Sequence, residues 1–441
     1  MVIFALYAVL LVGLGLWDAR HARSPEAYFV NNRASGAWQV GLSITASCVG
    51  GSATIGMAGL AWQIGTPAFW WLGSGACGLL LLTFALARKV RASGALTLPE
   101  LIGQRLGRQA RTLASLIIVL AWSAILAAQF TAMGQLTASL TGLDPALALP
   151  AGAALIVLYA LLGGQASVIR SDVPQFLLLF GGLCLTLGWL FVHNPHPMFS
   201  VEVEALNEGF GPSKFIYFFI IIGGSYVVCP MLFGRVLSAR DERTARRGGL
   251  IGAGWLVVTA VVIVLVGLGC RSLLPAGSTP DSVLTAVQGL LPPWIGMALM
   301  VSLLSAVLSS ADSCLITAAT VLCHDLLHTE RLPVCRGVTL ALGGLGYLLA
   351  TRGHGILDLL LMANDVYVCG VVLPVFWGLM LPMTRHIPHR TATAAMLAGG
   401  AGGLASALLG LPEAGYMGLF ASLVCLAPTA FACRDARQPA M

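Results

Sequence analysis

The chain has 441 residues, 58% of them hydrophobic and only 10% charged, with a mean hydropathy of +0.88. Soluble proteins carry about 25% charged residues, so this composition describes a multi-span membrane protein and excludes a water-soluble enzyme or binding module. The net charge of +6 does not indicate a nucleic-acid partner, because the basic residues sit in short loops with no basic arm and no stacking platform.

The expected elements are apolar segments at 2–17, 37–62, 67–88, 112–140, 147–166, 172–192, 214–237, 249–270, 292–327, 336–351, 355–382, 391–410 and 412–433. The fold class is therefore all-α, a membrane protein of about 13 transmembrane helices. Segment 2–17 has no positively charged start and no small-residue cleavage site before Trp17, so it reads as a retained span rather than a signal peptide. Segment 98–108, LPELIGQRLGR, is short and amphipathic, and is expected at the inner membrane interface. With the N-terminus outside and the C-terminus cytoplasmic, only Lys214, Arg271 and Arg352 of the 24 Lys and Arg fall on the outer side, as the positive-inside rule requires. The eleven cysteines are scattered without a CxxC pair and read as small buried apolar residues. Short loops leave no soluble motor domain, so pumping would have to draw on an ion gradient.

Two helices carry glycine pairs at matching places: Gly50-Gly51 in SITASCVGGSATIG and Gly223-Gly224 in FIIIGGSYVVCP. Each opens a set of five segments. Interrupted helices at corresponding positions of two halves mark an inverted-repeat transporter with its site near the midplane. The organisation expected is 1–36 as an extra helix and inner loop, 37–192 and 193–382 as five-helix repeats, and 383–441 as two further helices, with the first and sixth core helices broken.

The most informative stretch is 297–325. Ser302, Ser305, Ser309, Asp312, Ser313, Thr317 and Thr320 recur mostly at spacings of three or four and form one stripe on a helix. Lipid cannot solvate Asp312 or clustered hydroxyls, so the stripe faces other helices or a cavity. Ser309, Ser310, Asp312 and Ser313 offer the oxygen ligands a hard cation prefers. Asp365, beside Asn364, is a second intramembrane acid, able to meet a cationic amine, carry a proton or hydrogen-bond within a vestibule. His324 and His328 flank Asp325 at metal-binding spacing, but their place past the hydrophobic core favours a helix end that complements the dipole. No nucleophile–base pair or metal cluster lies at membrane depth, so the protein is not expected to be an enzyme.

The stretches SPEAYFVNNRASGAW, LSITASCVGGSATIGMAGLAW, LTLPELIGQRLG, VIRSDVPQ, CPMLFGRVLSARDERTARRG and AVLSSADSCL give the chain its likeness to a known family. Over residues 18–380 it resembles the sodium:solute symporter family, which has a five-plus-five inverted-repeat core. The resemblance implies Na⁺ as the coupling ion and alternating access, while the span count and short loops suit the inner (plasma) membrane. It implies a main Na⁺ site at the carbonyls of Ala46, Val49 and Ala306 and the hydroxyls of Ser309 and Ser310. It also implies a second cation site at Asp172, Asp312 and Ser313 with the shared Ser309, although Asp172 could equally be a solvated acid at its helix N-terminus. Substrate contacts fall on Cys48, Ser52, Gln129, Tyr226 and Pro230, with Asp365 added from its burial and Trp70, Trp71 and Trp122 as further lining candidates. Cys48 replaces an acid of the proline-transporting members, and Ser52 and Ala53 replace a carboxylate and amide of the sugar-transporting ones. The function expected is Na⁺-coupled symport of a small polar organic solute such as an amino acid or carboxylate, in a lipid bilayer and without nucleic acid. A proton-coupled symporter using Asp172 or Asp312, and a sensor signalling through a partner, stand as alternatives.

Overall fold

The computed structural model describes residues 31–431, apart from 163–164, 194–201, 272, 275–278, 280–281, 354 and 382–386, together with positions 9 and 13. Among these residues the chain is helical, with two isolated bridges, Ser35 to Ala239 and Asn207 to Phe210, as its only extended pairing. In chain order the helices are α1 (Ala37–Cys48), α2 (Ser52–Ile64), α3 (Thr66–Ala92), α4 (Leu98–Leu106), α5 (Arg108–Thr141), α6 (Pro145–Leu162) and α7 (Ser167–His193). They continue with α8 (Pro212–Ser238), α9 (Glu242–Gly269), α10 (Val283–Gln288), α11 (Pro293–Leu326), α12 (Leu332–Ala350), α13 (Ile356–Met380), α14 (His389–Leu409) and α15 (Pro412–Leu426).

Nine described helices are long and apolar enough to cross a membrane, the bent pair α1 and α2 makes a tenth span, and α6 and α15 are shorter apolar helices. Every expected apolar segment among the described residues is thus helical. Segment 2–17 and most of the unit 1–36 lie outside them.

The two interruptions have different causes. α1 and α2 meet at 68° because Val49, at φ −99° and ψ 69°, leaves helical space. The adjoining glycines supply clearance: a Cβ on Gly50 would stand 2.5 Å from Ser310 Oγ, and one on Gly51 would stand 2.5 Å from Ala132 Cβ. In α8 the expected break at Gly223-Gly224 is displaced. Both glycines are helical there, and the chain opens instead at Val228 (φ −128°, ψ 72°) and Cys229 (φ −106°, ψ 122°). Pro230, the first residue of the second half of α8, is the reason: it lacks an N–H and drives its predecessor to extended geometry.

Both breaks free backbone groups inside the membrane, and side chains from other helices take them up. Gln129 Oε1 on α5 accepts the Gly51 N–H at 2.9 Å. Tyr367 Oη on α13 donates to the Val228 carbonyl. Such pairing is what permits irregular backbone at membrane depth.

The core forms where α11, buried nearly throughout from Ser302 to Ala319, packs against α7, α5 and α1, while α9 covers α1 and α13 covers α5. α4 buries its apolar face of Leu98, Leu101, Ile102 and Leu106 against α5. Polar ties explain this position. Asp325 on α11 accepts from Thr97 Oγ1 at 3.0 Å and pairs with Arg111 at 2.8 Å.

Candidate functional site

α1 ends where α11 crosses it. Ser309 Oγ donates to the Ala46 and Ala306 carbonyls, both at 3.0 Å. Ser310 Oγ donates to the Ser47 carbonyl at 2.9 Å and the Ala46 carbonyl at 3.4 Å. Ala46, Ala306, Ser309 and Ser310 therefore gather into one buried knot of neutral oxygens, with Val49 at the break one turn beyond Ala46. The donor set fits a hard monovalent cation, since carbonyl and hydroxyl oxygens are its preferred ligands and the hydroxyls can turn their lone pairs inward.

A second buried cluster lies beside it. Asp172 on α7 has no exposure, which excludes the solvated helix-end reading. Its Oδ2 accepts from Ser43 Oγ, from Ser47 Oγ at 3.5 Å and from Arg235 Nη2 at 3.1 Å. Arg235 is equally buried and also donates to Ser43 at 3.0 Å, Ser47 at 2.8 Å and Ser313 at 2.6 Å. Counting it among the inner-loop cations was wrong: it lies in the second half of α8, in the protein interior. The expected second cation set of Asp172, Asp312 and Ser313 is thus split. Asp172 and Ser313 are turned to the guanidinium, whereas both carboxylate oxygens of the buried Asp312 have no hydrogen-bond partner.

Between the two breaks is a cavity lined by Ser47, Cys48, Gly50 and Ser52 at the end of α1 and the start of α2, by Ser225, Tyr226 and Cys229 on α8, and by Ser310 and Cys314 on α11. Trp71, Trp122 and Gln129 close its sides, and Asn364 and Leu360 on α13 complete it. No lining residue among those described is charged. Of the residues expected to contact a solute, Cys48, Ser52, Gln129 and Tyr226 line this cavity.

Other expected contacts do not line this cavity. Pro230 is absent from the lining although Cys229 and Met231 belong to it, because it serves as the first residue of its half-helix. Asp365 is also absent, for helix geometry gives the cavity Asn364 and points the acid at Tyr217 Oη (2.8 Å) and Ser406 Oγ (3.1 Å). Trp70 donates to the Ala205 carbonyl at 3.0 Å, away from the cavity.

At the C-terminal end of α11, His324 lies 3.4 Å from Glu100 and 3.7 Å from Glu330, and no metal-binding group of three or more residues occurs among the described residues. The hydrogen bond from His324 holds the Glu100 carboxyl below its ordinary range. This corner is a helix-end tie between α4 and α11. Sequence reasoning gives Ser43, Ser47 and Arg235 no site role and takes Asn364 and Tyr367 only as neighbours of Asp365. A charged residue inside an apolar segment, FGRVL, was the signal available for Arg235.

Comparisons with known proteins agree with this architecture. The model of the sodium:solute symporter family matches residues 28–332. The sodium/glucose cotransporter of Vibrio parahaemolyticus is 22% identical over 374 residues, covering 74% of this chain and 68% of that protein. The sodium/proline symporter of Staphylococcus aureus is 24% identical over 352 residues, 75% of this chain and 68% of its own length. A substrate-bound, outward-open structure of a Na⁺-coupled sialic acid symporter superposes with a TM-score of 0.79 at 17% identity, covering 99% of this chain and 98% of that one.

Proposed function

The chain belongs to the sodium:solute symporter family, and from that premise we propose that it carries Na⁺ together with a small polar organic solute, an amino acid, a carboxylate or a similar molecule, by alternating access. The ion is held by the carbonyls of Ala46, Val49 and Ala306 and the hydroxyls of Ser309 and Ser310, and the solute by the cavity between the breaks. One observation supports the coupling above all: Ser310 bonds the carbonyl end of α1 at 2.9 Å and also lines the cavity. An ion that fixes Ser310 and the end of α1 therefore shapes the solute site, and solute that fixes the cavity favours the ion by the same factor. Downhill Na⁺ supplies about 2.3 kcal/mol per charge per 100 mV, besides its concentration gradient.

The lining suggests the chemistry of the solute. Trp71, Trp122 and Tyr226 offer apolar and aromatic surface, while Gln129, Ser52, Ser225 and Asn364 offer neutral hydrogen bonds. The N-terminal end of α2 faces the same space, and the positive end of a half-helix suits a carboxylate. Glucose and proline are named for the relatives, but the acid, carboxylate and amide tied to proline and sugar transport are here Cys48, Ser52 and Ala53, which favours another solute. In this reading 37–192 and 193–382 are the two repeats, the protein sits in the plasma membrane, and its N-terminus faces outward with the C-terminus cytoplasmic.

The test is the Na⁺ dependence of solute uptake in proteoliposomes. Ser309→Ala and Ser310→Ala should each raise the half-saturating Na⁺ concentration about tenfold or more, since interactions of a hydroxyl with a charge contribute about 1.5–3 kcal/mol. Wild-type Na⁺ dependence in both variants would remove these residues from the ion site.

A further inference from the structure

Gln129 stands between the first break and the cavity and is engaged at only one end. Its Oε1 accepts the Gly51 N–H at 2.9 Å. That bond fixes the orientation of the amide, because an NH2 group turned to the same N–H would set donor against donor. The Nε2 is therefore presented as a donor, and no described residue accepts from it, although the side chain is buried and lines the cavity. Trp122 lies two turns earlier on the same face of α5. It also lines the cavity, and its buried Nε1 has no hydrogen-bond partner. A buried donor left unpaired is costly, so two of them along one wall point to an acceptor that arrives with the solute.

Resting on the function proposed above, we propose that the α5 wall receives a carboxylate of the solute, with Gln129 Nε2 as its donor and Gln129 Oε1 as the link from that carboxylate to the first break. The solute class narrows to molecules that carry a carboxylate, amino acids and monocarboxylates alike, and sugars and amines are rejected. Other features of the cavity agree. No described lining residue is an acid that would repel an anion. The N-terminal end of α2, which follows Gly51 directly, is the positive end of a half-helix.

The link follows from the way hydrogen bonds polarise one another. A carboxylate that accepts from Nε2 polarises the amide and strengthens the bond from the Gly51 N–H to Oε1. Gly50 is wedged between Gln129 and the ion side: a Cβ there would stand 2.5 Å from Ser310 Oγ and 2.8 Å from Gln129 Oε1. Ser310 in turn donates to the Ala46 and Ser47 carbonyls. Solute bound at Gln129 thus holds the break against the oxygens proposed for the ion. Gln129 is a contact of the solute and a positioning residue for the ion.

The experiment measures the unfolding temperature of the purified full-length protein in Na⁺ with matched carboxylates and amides. The pairs are propanoate and propanamide, 3-phenylpropanoate and 3-phenylpropanamide, L-alanine and L-alaninamide, and L-phenylalanine and L-phenylalaninamide, with glucose and ethanolamine added. Wild type should be stabilised by at least one carboxylate and by none of the amides, glucose or ethanolamine. Gln129→Glu keeps an oxygen for the Gly51 N–H but sets a second oxygen where the donor stood, so its affinity for that carboxylate should fall about tenfold or more. Gln129→Leu loses both ends, and the factor by which the carboxylate lowers the half-saturating Na⁺ concentration should shrink towards 1. An amide that stabilises wild type as well as its carboxylate does would overturn the inference whether or not the variants fold. So would stabilisation by Na⁺ with no carboxylate of the panel adding to it, or a folded Gln129→Glu with wild-type affinity for the carboxylate. Undiminished coupling in a folded Gln129→Leu would overturn the link to the break. A wild type that Na⁺ itself does not stabilise would instead overturn the symporter reading on which the inference rests.

Discussion

Asp365 shows how a membrane acid can be structural. Tyr217 and Ser406 each donate to one of its oxygens, so its burial is compensated without an ion or a substrate. Replacing it with Asn keeps one acceptor and loses the charge. Asp365→Asn should therefore lower unfolding stability by about 1–3 kcal/mol, the range for hydrogen bonds to charged groups, and leave the Na⁺ dependence of solute binding unchanged; altered Na⁺ dependence at unchanged stability would return it to the mechanism. At this scale the buried stripe of hydroxyls on α11 was legible because residues spaced three and four apart on an apolar helix share one face, whereas Ser310 entered from its place beside Ser309 and the carbonyls of Ala46, Val49 and Ala306 only through the family resemblance. Arg235 was not read correctly, because counting cations by loop treats charge as a vote for the inner side and ignores depth. Its position inside an apolar run carried the information, but only the structure shows that Asp172, Ser43, Ser47 and Ser313 meet it.

The breaks show what glycine and proline each contribute to an element. Gly223 and Gly224 were expected to interrupt α8, yet they are helical, Gly223 lying against Ser74 of α3 and Gly224 against Val368 of α13. A Cβ on Gly78 would overlap the Gly223 carbonyl oxygen. Gly78→Ala should consequently cost about 1–3 kcal/mol or more, the usual penalty of overpacking, and should be read as a lower unfolding temperature of the purified protein. An unchanged midpoint would mean that α3 and α8 can separate freely at this contact. Sequence placed a break in the correct helix but five residues early, since a glycine pair permits either close packing or a bend, and Pro230 settled which residue left helical space. The groups that heal the breaks, Gln129 and Tyr367, come from helices distant in sequence, which no local pattern reveals.

For the whole molecule, the span pattern and the two interrupted helices were legible from hydropathy and position, because lipid imposes length and backbone pairing on every crossing. The cavity was legible only in part, as its lining is assembled from α1, α2, α3, α5, α8, α11 and α13. Ser310 connects the end of α1 to the cavity, and the proposed function places the coupling in that assembly, where an ion and a solute would stabilise the same arrangement of helices. Each should therefore be felt in the stability of the protein, by about 2.7 kcal/mol for a ligand at a hundredfold excess over its Kd.

The most direct measurement is the unfolding temperature of the purified protein in Na⁺ and in K⁺, across amino acids, monocarboxylates, vitamins, sugars and amines. Coupled binding predicts a small polar solute that raises the midpoint in Na⁺ and leaves it unmoved in K⁺. Equal stabilisation by that solute in both salts, or no stabilisation by Na⁺ itself, would contradict it.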